Sequence, residues 1–140
     1  SGYSPDTYDE SFGDDYLRNN DRATNRKALK EIGISDDEND FKSLLNKASL
    51  VVVLHNNYFD TNIALLEGKK VVSFFSHLCP TIEKSDVALP IASFYEKSGT
   101  YINADDIKQK VISKMKKDSQ AETITSVIEH LKEMIIKGTL

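Results

Sequence analysis

Cysteine is almost missing. Cys79 stands alone among 140 residues, so the chain can build neither an internal disulfide nor a four-cysteine zinc or iron–sulfur site. A reducing compartment is the expectation. Long apolar runs are also lacking: stretches such as residues 50–54 fall far short of the roughly 20 residues that cross a bilayer, and no charged-then-apolar leader opens the chain. Positive charge is in deficit, with 18 Lys and Arg against 22 Asp and Glu for a net charge of −4. That balance weighs against nucleic acid as a partner, because phosphate attraction dominates such binding. Neither GxGxxG nor GxxxxGK[ST] occurs, which removes the ordinary glycine-rich cradles for dinucleotides and nucleoside triphosphates. The chain opens on Ser1 with no methionine, as expected of a piece of a longer protein or a trimmed one.

What is present suits one globular domain. Hydrophobic residues make up 39% of the chain, enough for a core at this length. Residues 1–22 form an acidic N-terminal arm, with Asp6, Asp9, Glu10, Asp14 and Asp15 against Arg18 and no apolar period; residues 23–140 form the domain. Ala28, Leu29 and Ile32 before Gly33 predict a two-turn helix. Ser35 and Glu38 have capping-box spacing, and Phe41, Leu44, Leu45 and Ala48 predict a second helix. Residues 50–55 (LVVVLH) are apolar on both sides, as in a strand buried within a parallel sheet. A short crossover helix over 61–67, a strand over 70–75, a helical turn at 81–84 and a strand over 86–91 ended by Pro90 come next. The expected fold is α/β and Rossmann-like, a mainly parallel three- to four-stranded sheet flanked by helices, with any ligand at the carboxyl edge of the strands. Residues 100–103 and 110–115 are weaker strand candidates. Ser119 and Glu122 cap a last helix whose Ile124, Val127, Ile128, Leu131, Met134 and Ile135 make one apolar face closed by Gly138.

Three side chains at the predicted sheet edge have chemistry of their own. His55, His77 and Cys79 all lie just beyond strand ends, and imidazole with thiolate is a zinc ligand set, although no second close pair completes four ligands. Cys79 before Pro80, at a helix start, is the one candidate nucleophile, with His77 as its base; a small inert cysteine explains the same residues. Lys108, Lys110, Lys114, Lys116 and Lys117 form the one cationic group, and Asp105, Asp106 and Asp118 beside it fit a solvated face.

Residues 85–109, SDVALPIASFYEKSGTYINADDIKQ, resemble the signature of the molybdopterin oxidoreductase family, in which ADVVLP, EKxGT and NTEGRVQ occur in that order. Asp86, Leu89, Pro90, Glu96, Lys97, Gly99, Thr100 and Asn103 keep its order and spacing. SLVVVLHNN at 49–57 is similar to the family's aDLVVVLGxNP, and NRKALKEIG at 25–33 to its NxRGAxDMG. EKSGTYIN and NRKAL lean toward the branch formed by the large iron–sulfur subunit of NADH-quinone oxidoreductase, respiratory complex I. Three departures stand out. His55 and Tyr58 replace a glycine and a proline, Asp106 and Ile107 replace the glycine and arginine of NTEGRVQ, and Cys79, Pro80 and Thr81 stand where the family has TET. Room for close backbone approach and a phosphate-binding guanidinium are both lost.

The resemblance therefore implies a degenerate pterin-binding fold: a non-catalytic structural domain that supports a peripheral electron-transfer arm. It carries no cofactor of its own, while NADH, FMN and iron–sulfur clusters belong elsewhere in the parent complex. Its implied partners are other domains of the same subunit and neighbouring complex I subunits, without nucleic acid or membrane insertion, in the cytoplasm at the periphery of the inner membrane. The alternative is a cofactor-binding domain of a molybdenum or tungsten oxidoreductase such as formate dehydrogenase, with Asn56, Asn57, Glu96, Thr100 and Asn103 around a pterin guanine dinucleotide. A thiol- or metal-dependent enzyme using His55, His77 and Cys79 is a further alternative.

Overall fold

In a computed structural model of the chain, the residues described are 13, 14, 16, 26–35, 37–103, 105–113 and 121–137. Most of the acidic arm, Ser119, Gly138 and Lys114, Lys116 and Lys117 lie outside them. The chain is α/β, with a three-stranded parallel sheet flanked by helices. It divides into two compact units, residues 1–47 with 98–112 and residues 48–97 with 113–140.

The first unit carries helices α1 (Arg26–Glu31) and α2 (Glu38–Lys47) and an antiparallel hairpin of β4 (Gly99–Ile102) and β5 (Lys108–Val111). Of the weaker strand candidates, 100–103 falls on β4, while 110–115 overlaps β5 only at Lys110 and Val111 and runs into residues 114 and 115, outside those described. α1 ends as its sequence predicts: Gly33 takes φ +79°, and the amides of Gly33 and Ile34 reach back to the carbonyls of Lys30 and Leu29. At α2 the cap is Asp37, not Ser35. Its Oδ1 accepts from the amides of Asn39 and Asp40 at 2.8 and 3.0 Å, and Ser35 Oγ accepts from the Asp37 amide one step earlier. Lys27 pairs with Asp106 at 2.6 Å and Lys108 with Glu31 at 3.0 Å, tying α1 to the hairpin.

The second unit holds β1 (Leu50–Leu54), β2 (Lys70–Phe75), α3 (Pro80–Lys84), β3 (Val87–Pro90) and α4 (Ile124–Ile136). The strands run parallel in the order β1-β2-β3. Beside β3, a bridge joins Ile91 to Glu122, and among the described residues no fourth strand extends the parallel sheet. The crossover from β1 to β2 is two 3-10 turns, Asn57–Asp60 and Ile63–Leu66, instead of a helix. Asn56 and Asn62 cause this, since their side chains bond the amide and carbonyl of Tyr58 and draw the backbone into turns.

Alternation sorts the strands into two faces. Val51 and Val53 stand beside Val71 and Ser73. On this face Val53, Val71, Ser73 and Phe75 are buried, and Ser73 shares a hydrogen bond with Ser85 at the end of α3. Leu66, wholly buried, comes from the crossover turns, which pack against α3. The opposite face of β1 carries Leu50, Val52 and Leu54, all exposed. The expectation that β1 is buried on both sides is therefore corrected: it is an edge strand with one covered face. α4 is likewise only partly covered, with Ile128, Leu131 and Ile136 exposed, and its first turn is capped by Thr123, whose Oγ1 accepts from the Ser126 amide at 3.1 Å.

Candidate functional site

Parallel strands bring their carboxyl ends to one edge, and the residues just beyond them share it. β1 stops at His55, whose amide still donates to the Phe74 carbonyl at 2.8 Å while its backbone turns to φ +49°, the left-handed region. Side chains other than glycine resist that conformation. The His55 ring is held by Ser76, with Nε2 and Oγ 2.9 Å apart, and meets Phe75 and His77 edge-on at centroid distances of 5.8 and 5.6 Å. Burial, then the charges of Lys97 and His77, lower the pKa of His55 below the ordinary imidazole value. Lys97, itself half-buried, is also lowered by burial.

The helix after β2 begins at Pro80, the first-turn position where a missing amide costs nothing. Its next amide is already taken. Asp60, from the turn after β1, accepts through Oδ1 from both Thr81 N at 3.1 Å and Thr81 Oγ1 at 2.6 Å. Ser85 Oγ in turn donates to the Thr81 carbonyl. A carboxylate of the chain itself thus fills the position at which a helix start in an α/β edge offers its amides to an anion.

Between the ends of β2 and β3 lies an open pocket of about 470 Å³. Phe75, Leu89 and Ile91 supply apolar walls, and Ser76, His77, Ser93 and Glu96 the polar lining. Glu96 has a local duty: its Oε2 accepts from the Ser93 amide and hydroxyl, closing a capping box around a 3-10 turn at Phe94–Glu96.

The other predicted site residues have similar duties. Asn56 caps the turn after β1, and Asn57 is exposed within it. Thr100 lies exposed on β4, and Asn103 holds the β4–β5 turn by accepting from the amides of Asp105 and Ile107. Asn56, Asn57 and Glu96 belong to the second unit, Thr100 and Asn103 to the first. His55 and His77 touch, while Cys79 is a buried thiol at the start of α3. Among the described residues, no three His, Cys, Asp or Glu side chains gather closely enough to hold a metal, and no helix is long and apolar enough to cross a membrane. Sequence reasoning missed Asp60, Ser76 and Ser93. Only the Ser93–Glu96 spacing, a capping-box pattern, carried a signal. No protein-family model matches the chain, and no curated protein matches it.

Proposed function

We propose that this chain is a non-catalytic structural domain descended from the molybdopterin oxidoreductase fold, of the kind found in the large iron–sulfur subunit of NADH-quinone oxidoreductase. One observation carries the reading. The described non-glycine residues with positive φ are His55 at +49° and Asp106 at +62°, and these are the two positions where the resembled motifs, VVVLG and NTEGR, have glycine. The backbone keeps a shape that glycine adopts freely, while the side chains now fill the space that close backbone approach needs. Asp60 adds to this, since a fixed carboxylate on the Thr81 amide repels a phosphate from the same place. The residues present thus do not fit a pterin guanine dinucleotide. In this reading the domain packs against other domains of its own subunit and neighbouring subunits, peripheral to the membrane, and cofactors belong elsewhere in the parent complex.

The pocket beside Ser93 and Glu96 favours the second reading, a working cofactor-binding domain of a molybdenum or tungsten oxidoreductase. Calorimetric titration with guanine nucleotide separates the two. No saturable binding is expected at a Kd of about 10 μM, which corresponds to about 7 kcal/mol of contact; binding tighter than that overturns the structural reading.

A further inference from the structure

We infer that the outer edge of β1 is a self-association site, at which a second copy of this chain adds its own β1 antiparallel. The geometry of the strand alone carries this, independently of the proposed function.

Among the described residues β1 pairs with β2 alone. Lys70 N donates to the Ser49 carbonyl and His55 N to the Phe74 carbonyl, so the odd-numbered residues from 49 to 55 turn their backbone groups toward β2. Leu50, Val52 and Leu54 turn theirs away. No described residue pairs with those outward groups, and the three side chains are 54%, 52% and 48% exposed. Edge strands are usually guarded by lysine, proline or a covering segment. β3 has such guards: Pro90 ends it, and Glu122 bridges Ile91 and accepts from the Ala92 amide just beyond. Among the described residues β1 has none, and its own sequence, LVVVL, carries neither lysine nor proline.

That sequence selects the occupant, because it reads the same in both directions. An antiparallel copy centred on Val52 places Leu50 opposite Leu54 of the second copy and Val52 opposite its counterpart. These are the residues whose amides and carbonyls face outward, so each opposed pair exchanges both of its hydrogen bonds. A two-fold axis normal to the sheet keeps all these side chains on one face, where they form apolar cross-strand pairs. Ser49 falls opposite His55, so no like charges meet at the ends. The two sheets become one, twice as wide.

Sedimentation velocity of the whole chain over a dilution series, with Val52→Lys and Val52→Glu variants, tests this. The native chain is expected to sediment at twice the monomer mass and to dissociate on dilution. Each variant alone is expected to lose the dimer, since like charges then face each other across the axis, while an equimolar mixture of the two regains it. A native chain that is monomeric throughout, or a mixture that stays monomeric while both variants keep native circular dichroism, overturns the proposal. Hydrogen exchange on the native chain needs no variant: the amides of Leu50, Val52 and Leu54 should be protected at high concentration and lose that protection on dilution, and exchange independent of concentration overturns it equally.

Discussion

On one face of β1 and β2 Val53, Val71, Ser73 and Phe75 are buried and stitched to α3 through Ser85, whereas on the other the β1 residues Leu50, Val52 and Leu54 keep about half their surface open, although Phe74 of β2 beside Leu54 is buried. Both faces of β1 are equally apolar in sequence. The difference comes from the connecting segments. Those after β1 and β2 pack against each other, so the crossover turns and α3 cover the same face, and polar groups lock them there: Asp60 on Thr81, and Ser85 on Ser73 and Thr81. A polar group buried with its partner fixes one arrangement where apolar contact alone tolerates many.

The sharpest way to break this contrast is to make the same substitution on each side. Leu66→Ala, at a wholly buried position, is expected to cost about 2–5 kcal/mol in urea unfolding through lost transfer energy and a residual cavity. Leu50→Ala on the open face should cost less than about 1 kcal/mol, because much of its surface already meets water. Equal losses would show that the outer face is covered after all. Next in size is Asp60→Ala. It leaves the amide and hydroxyl of Thr81 without their acceptor, an expected loss of about 1–3 kcal/mol, while Asp60→Asn, which retains an acceptor oxygen, should recover most of it.

The smallest effect concerns pH at the sheet edge. Because burial lowers the pKa of His55 in the fold, the unfolded chain takes up a proton first as pH falls. Stability is then full above the ordinary imidazole pKa and declines as pH drops from there to the lowered folded value. Asp86, lowered by the Val71 amide and Lys70, contributes a separate loss at more acid pH, since its stabilisation persists until pH falls below the ordinary carboxylate pKa. His55→Asn should remove the first decline and leave the second. Unfolding midpoints measured across pH would show it, and an unchanged profile would mean that His55 does not titrate with folding.

The strands and most helix positions were legible because they rest on local signals. β-branched runs at 50–54 and 70–75 and the left-handed stop at Gly33 need only neighbours in the chain. The caps were less so: Asp37 and Thr123 hold α2 and α4, where spacing alone pointed to Ser35 and Ser119. Capping residues are chosen by which oxygen meets the free amides, and a small shift along the chain suffices to change that. At the candidate site, the positions of His55 and His77 beyond strand ends could be read from the alternation of elements, whereas Glu96 entered only through the resemblance of its motif. The contacts of Asp60 with Thr81 and of His55 with Ser76 could not, because each spans 21 residues of chain.

The sequence by itself determined the order of strands and helices and the kind of most of them, the β1–β2 crossover excepted, since hydrophobic period and backbone preference act within a few residues. Tertiary structure alone decided which face of β1 is covered, that β4 and β5 pair with each other, and that a carboxylate closes the start of α3. Those outcomes depend on which distant groups meet an unsatisfied amide or an exposed apolar surface, and neighbours in sequence carry no record of that.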